Sequence, residues 1–590
     1  MAADNLLHEF PPVTTASWEA VIAKDLKGAD YAKKLIWQTE EGLAVKPYYR
    51  AEDLAGLEYL DVAPGVFPYI RGDRPTGNWR IREEIEVEDP KGANLAARAA
   101  VAAGAEEIAF LNAHDALKTA SDFAALVSDL QEIPIHFQNA DESLLRLLVA
   151  TKISSSSSTS LSAGFDPFQN FDFASEILAK VPSTFVPFTI PGNAFEEAGA
   201  TVVQDVGFTL AAGIDFLAEM QARNAHARAN ITRAAAAITF SFAIGSNYFF
   251  EIAKLRAFRL LWARVVESFG GSPESAKARI HARTSRWNET VYDPHLNVLR
   301  GTTEAMSAAL GGADSISVAP FDECYKAPDE ASRRLARNTQ IILKQEALLS
   351  RVADPGGGAY CLEVITDFIA REAWKVMQGI EASGGYAKAK SDGRIQTALQ
   401  LSMAAKEKAV ISRRRIFTGT NQHANLTEKA LDRIEPSHTT AVHRGAEIYE
   451  QLRLRTERHA AKGGKLPSVL LAEIGDVKMR SARSNFAANF FGCAGFMIST
   501  HRFDSVPEIA SAASATDLVV LCSSDTEYPA LVPEFIAKLK ATHSKASVII
   551  AGYPDSAEQL KAAGVADFVH VRSNPIEVLT KWQDHLGIEK

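Results

Sequence analysis

The residues AITFSFA (237–243), followed three positions later by NYFFEIAKLRAFRLLWARVVESFG (247–270), decide the fold. The first run is short and rich in Ile, Thr and Phe, and the second is long and rich in Ala, Leu, Arg and Glu, so the pair reads as a strand leading into a helix. Residues 234–250 carry no charge over about 17 positions, close to the lower limit for a membrane span. They include Thr, Ser, Gly and Asn, however, and change from helix-favouring Ala to β-favouring Ile, Thr and Phe partway. A buried strand after a helix end is the better reading.

The same unit recurs on either side. EIAFLN (107–112) precedes the helical DALKTASDFAALVSDLQ (115–131), and IPIHFQ (133–138) precedes DESLLRLLVATK (141–152). STFVPFTI (183–190) precedes FEEAGATVVQDVGFTLAAGIDFLAEMQAR (195–223), and SISVAPF (315–321) precedes DEASRRLARNTQIILKQEALLSRV (329–352). Near-continuously apolar strands alternating with helices predict a parallel sheet covered on both faces. About eight such units in one block predict a closed (β/α)8 TIM barrel. The serine run ISSSSSTS (153–160) reads as a flexible crossover loop.

After residue 385 the pattern turns to polar helices, and then a second α/β block begins. Its strands are expected at SVLLAEI (468–474), GFMIST (495–500), DLVVLCS (517–523), SVIIAG (547–552) and DFVHV (567–571), as in a flavodoxin-like doubly wound domain. The chain therefore divides into an N-terminal arm (1–60), a barrel (61–390), a helical linker (391–465) and a small α/β domain (466–590). The arm contains the aromatic KLIWQTEEGLAVKPYYR (34–50) and is expected to pack on something else.

Hydrophobic residues make up 47% of the 590 and charged residues 23%, the composition of a globular protein. A net charge of −9 without a long basic run speaks against nucleic-acid and anionic-membrane partners. The cluster SRRRIF (412–417) is the one basic exception and reads as a solvated or partner-facing linker. Four scattered cysteines without a C-x-x-C pair indicate neither a disulfide framework nor a thiolate metal site, so no metal is expected. The acidic start MAADNLLHEFPP lacks the bases of a targeting peptide, which makes the cytoplasm the expected compartment.

Several stretches carry a resemblance: PGVFPYIRG (64–72), FFEIAKLRAFRLLWA (249–263), RLARNTQIIL (334–343), DPGGGAY (354–360) and above all DPHLNVLRGTTEAMSAALGG (293–312). They resemble methylmalonyl-CoA mutase over nearly the whole chain. The resemblance implies a radical interconversion of methylmalonyl-CoA and succinyl-CoA, with adenosylcobalamin as radical source. It also implies a barrel that threads the CoA ester and a cobalamin-binding-type C-terminal domain. Cofactor-borne radical chemistry asks the protein for binding, orientation and exclusion of solvent.

At the positions that would supply those groups this chain departs from the family pattern. The cobalamin turn D-x-H-x-x-G is GDVKMRS here, with Asp476 retained but Lys478 at the histidine and Ser481 at the glycine. An ammonium has no lone pair for cobalt. The S-x-L element reads SSD (523–525), and the glycine pair after the fourth strand reads AGYP (551–554). In the barrel, IPGNAFEEAG (190–199) puts Ala194 where the family has the histidine that hydrogen-bonds the thioester carbonyl. HARTSRW (281–287) keeps His281, Thr284, Ser285 and Trp287 but has Arg283 and Arg286 at a glutamine and a glycine, two guanidinium groups expected to crowd the channel. RGDRPTGNWRIREEI (71–85) retains no tyrosine of the family's P-T-M-Y-T.

No catalytic and no cofactor-binding residue is therefore expected in this chain. The resemblance implies a small, non-catalytic subunit of a heterodimer whose larger partner carries adenosylcobalamin, the CoA ester and the catalytic groups. An acyl-CoA mutase of altered specificity and a CoA-ester-sensing regulatory module are the alternatives.

Overall fold

The computed structural model of the chain describes residues 13–151, 160–223, 227–436 and 442–589. MAADNLLHEFPP and all of ISSSSSTS except Ser160 lie outside the described residues. Eight parallel strands close into a barrel in chain order, with Ser315–Ser317 pairing back onto Arg80–Glu86. Between these come Glu107–Leu111, Ile135–Gln138, Leu161–Phe165, Val186–Pro191, Ile238–Ile244 and Ile280–Thr284.

The strands are not apolar on both faces. In Ile238–Ile244, Phe240 and Phe242 point outward into the core shared with the helices, while Thr239 and Ser241 line the lumen. Phe240 meets Phe258 and Trp262 edge-on at 4.7 Å each, which seats the helix Tyr248–Ser268 on its own strand. Each such ring buried contributes roughly 1.5–3 kcal/mol, and the edge-to-face geometry adds to it. The main core thus surrounds the barrel and leaves its axis polar.

This polarity explains the strands that composition did not announce. Arg80–Glu86 (RIREEIE) and Ile280–Thr284 (IHART) turn the polar Arg82, Glu84, His281 and Arg283 toward the lumen, and on the helix side Glu83, paired with Arg337, interrupts the apolar residues. Their apolar content is too thin to read as a buried run. The expected helix over 115–131 is two short helices, Ala113–Ala116 and Ala120–Leu126. Thr119 and Asp122 form a capping box that starts the second afresh.

The small domain is a five-stranded parallel sheet in the order second, first, third, fourth, fifth: Met497–Arg502, Ser468–Glu473, Leu518–Cys522, Ser547–Ala551 and Asp567–Val569. Separate apolar clusters cover its two faces. Trp287, carried on the turn after the seventh barrel strand, is buried in one of them with Phe417 and Tyr449 and so anchors the barrel to the linker and small domain.

The aromatic part of the N-terminal segment forms a tight antiparallel hairpin, Trp37–Gln38 with Ala44–Val45. Upstream of it the helix Thr15–Asp25 buries none of its residues and leaves Trp18 and Val21 exposed. Among the described residues no helix is long and apolar enough to cross a membrane.

Candidate functional site

Parallel α/β folds receive ligands at the carboxyl ends of their strands, and this chain has two such edges. The barrel edge opens on a cavity of about 310 Å³ lined by Arg82, Glu84, His136, Thr239, His281 and Arg283 among others. Arg82 is paired with Glu107, which also binds Arg80. His136 Nδ1 lies 2.9 Å from Ser162 Oγ, and His281 Nδ1 lies 3.0 Å from Ser315 Oγ. Burial, followed by the charge of Arg82, holds both imidazoles well below the ordinary histidine value, so both are neutral in the lumen.

Arg283 enters this lumen but is fully engaged. Its Nε donates to Glu84 at 3.1 Å and 3.2 Å, and its Nη2 to both oxygens of Glu323 at 2.7 Å and 2.8 Å. Arg286 turns to the rim instead, where its Nε donates to Glu323 at 2.6 Å. Only one of the two guanidinium groups expected in the channel is there. Burial works against ionising Glu323, but Arg283 and Arg286 hold it below the usual carboxylate range. Neighbouring Glu289, buried and facing Glu323, is pushed up to about 8.

Ala194 sits on the short helix Asn193–Glu197 after the fifth strand and is exposed. Beside it Asn193 lines the lumen and accepts a hydrogen bond from Ser241 Oγ at 2.5 Å. The methyl group of Ala194 offers a substrate carbonyl no donor.

The second edge, at the switch point between the first and third strands of the small domain, is occupied by the chain's own side chains. Asp476 caps the helix Val477–Gly492 through Met479 N–H at 2.8 Å, while Lys478 and Ser481 are exposed. Glu527 spans the crevice, accepting from Ser523 Oγ (2.6 Å), Ser524 Oγ (2.7 Å) and the Asp476 N–H (3.1 Å). These hydrogen bonds, the Ser523 hydroxyl foremost, draw its carboxyl down to about 2. A side chain on Gly475 (φ +78°) would meet the Glu527 carboxylate at 2.5 Å.

Arg483 covers the next strand ends. It donates to the Ala551 carbonyl and to Asp525 and lies over the Tyr528 ring, filling the space a Cβ at Gly552 would take. Below it the fully buried Tyr528 hydroxyl bonds the Ser523 N–H and the Leu521 and Ala551 carbonyls. His501, on the edge strand, is exposed. Among the described residues no three His, Cys, Asp or Glu side chains are grouped to hold a metal.

The sequence model of the family described as methylmalonyl-CoA mutase matches residues 38–120 and 169–472. A methylmalonyl-CoA mutase small subunit from Porphyromonas gingivalis is 38% identical, the alignment covering 99% of both chains. The chain belongs to the methylmalonyl-CoA mutase family. A small subunit from Streptomyces virginiae is 31% identical over 99% of this chain and 98% of its own. A large subunit from the same organism is 30% identical over 76% of this chain and 67% of its own.

With the mutase family as reference, the structure brings His281 and Arg283 into one lumen, but leaves Ala194 and Arg286 outside it. Asp476, Lys478 and Ser481 remain together on one helix start. Sequence reading missed the carboxylates that engage these positions. Glu84 lies 199 residues from Arg283 in the chain, which no local pattern reveals. Glu527 was visible in principle, since Ser524 and Glu527 form an S-x-x-E pattern ahead of the apolar run YPALV.

Proposed function

We propose that this chain is the small, non-catalytic subunit of a two-chain adenosylcobalamin-dependent methylmalonyl-CoA mutase, with corrinoid, CoA ester and catalytic groups on a larger homologous partner. The observation that carries the reading is the occupied crevice of the small domain. A corrinoid needs an imidazole below cobalt and room for a nucleotide tail among the strand ends. Lys478 stands where that imidazole would be, and Glu527, Arg483 and Tyr528 fill the room. The residues present do not fit cobalamin.

The barrel supports the same reading. Ala194 cannot polarise a thioester carbonyl, and Arg283 brings two carboxylates into its cluster with it. Both guanidinium groups are spoken for by carboxylates, which weakens their use as phosphate contacts. The helix Thr15–Asp25, none of whose residues is buried in the chain's own fold, supplies apolar surface for the partner through exposed Trp18 and Val21, in keeping with an arm over 1–60. That Streptomyces virginiae has relatives named large and small subunits supports the pairing.

The test is co-expression with a large mutase chain, followed by size-exclusion chromatography and cobalt analysis. Co-elution with one cobalamin per pair is expected. Cobalamin uptake by this chain alone, or two cobalamins per pair, overturns the proposal.

A further inference from the structure

A second cavity, of about 540 Å³, lies outside the lumen, between the N-terminal hairpin, the loops after the fifth and sixth barrel strands, and the end of the linker helix. Its lining takes Glu251 and Lys254 from FFEIAKLRAFRLLWA and Glu196 from IPGNAFEEAG, none of which lines the lumen. Its floor is built from groups that are almost completely buried. Lys254, 0% exposed, uses its ammonium on Glu251 Oε2 (2.6 Å), the Ala243 carbonyl (2.6 Å) and Asp205 Oδ2 (3.2 Å). Glu196, 9% exposed, accepts from the Ser285 hydroxyl at 3.0 Å and 3.1 Å.

Two carboxylates, Glu251 and Asp205, therefore share one ammonium in the low-dielectric interior with Glu196 held by a neutral hydroxyl beside them, an arrangement that costs free energy until further positive charge or a proton arrives. Among the described residues the Oδ1 of Asp205, 1% exposed, has no hydrogen-bond partner, and burial pushes its carboxyl up to about 7 against the opposing pull of Lys254. The space above is left open by a glycine. A Cβ on Gly245 would stand 3.2 Å from Glu251 Oε1 and 3.8 Å from Glu196 Oε1, so both oxygens face the hollow over its α-carbon.

The opposite side carries basic groups, with Glu40 and Glu41 of the hairpin among them. Lys406, 8% exposed, donates to the Ala200 carbonyl at 2.7 Å and lies 5.8 Å from the Trp287 ring centre, and among the described residues no other hydrogen-bond acceptor takes its remaining donor directions. Arg415 stacks 4.2 Å above Trp287 and reaches Ser246 Oγ and Glu40 only at 3.3 Å and 3.4 Å. Exposed Arg414 completes the wall, so the basic triplet of the linker places two of its members here.

We propose that this cavity binds a small zwitterion of the amino-acid type, its ammonium over Gly245 between Glu251 and Glu196 and its carboxylate on Lys406 and Arg415. An anion alone meets Glu196 and Glu251 across the cavity. A cation alone meets Lys406 and Arg415. A molecule with both charges satisfies each wall with the ion it lacks, and adds no net charge to an interior that already holds an imbalance.

The experiment is isothermal titration of the full chain with glycine, β-alanine, 4-aminobutyrate and glutamate, which vary the separation of the charges. Acetate and ethylamine serve as single-charge probes. At least one zwitterion is expected to bind with a Kd below about 1 mM, with neither single-charge probe matching it within about tenfold. Lys406→Met and Gly245→Ala should each weaken that binding about tenfold or more. Gly245→Ala fills the cradle and presses on Glu251 at 3.2 Å, so circular dichroism and a melting curve are needed to confirm folding of both variants. No binding by any zwitterion, equal binding of acetate, or affinity unchanged in folded Gly245→Ala overturns the proposal.

Discussion

The lumen of the barrel and the crevice of the small domain occupy equivalent places, the carboxyl edge of a parallel sheet, yet they have been treated in opposite ways. In the lumen charged groups neutralise one another around space that stays open, as Arg283 does with Glu84 and Glu323. In the crevice a carboxylate, a guanidinium and a phenol are drawn across the strand ends and take the space themselves. Topology names the place where a ligand can bind. Whether it remains a site depends on which side chains reach it.

The sharpest way to break this comparison is Arg283→Ala. It leaves Glu84 and Glu323 without their shared cation in a buried setting, and loss of one partner of such a cluster costs about 3–5 kcal/mol. Urea unfolding at pH 7 measures it, and a loss under about 1 kcal/mol would mean that water or a proton compensates and the lumen is wetter than drawn. Glu527→Ala removes the clasp of the crevice, at a cost of about 1–3 kcal/mol for its charge-assisted hydrogen bonds. It should still not confer cobalamin binding, because Arg483 and Tyr528 remain in place; a corrinoid absorption band in that variant would show that Glu527 alone closes the site.

The two regions should also separate by pH. His136 and His281 are held neutral, so their folded-state values lie below the ordinary 6.5. The unfolded chain takes up protons first as pH falls through 6.5, and the stability these histidines contribute is full above that value and lost below it. Glu527, drawn down to about 2 from an ordinary 4.5, contributes stability that is full above 4.5 and lost between there and about 2. A stability profile of the protein against those of His281→Asn and Glu527→Gln should therefore show the first difference fading below pH 6.5 and the second only below 4.5.

The smallest effect is expected from Lys478→His. Lys478 is exposed and supports no packing, so the melting temperature should not move. An imidazole restored to a filled crevice should produce no change in the cobalamin spectrum, and a histidine-ligated cobalt signal would contradict the account of Glu527 and Arg483 given above.

Much of this molecule could be read along the chain. All five strands of the small domain lie where alternating apolar runs put them, and AITFSFA forms the sixth strand of the barrel. Arg80–Glu86 and Ile280–Thr284 escaped notice because half of each strand faces a polar lumen, which replaces the apolar run with charges. Lys478 and Ala194 stand out only against the pattern of the family that the chain resembles; residue type then says what they lack, since ligation and hydrogen bonding depend on atoms the side chain has or lacks.

Strand and helix periodicity are short-range properties, and these settled the fold class; the altered positions were legible only through the resemblance to the family's motifs. The fate of the two edges was decided by contacts between residues far apart in the chain: Arg283 with Glu84, Asp476 with Glu527, Arg483 with Ala551. Such pairs are selected by closure of the barrel and stacking of the sheet. No local pattern carries them, because the free energy of a buried charge depends on what the completed fold places next to it.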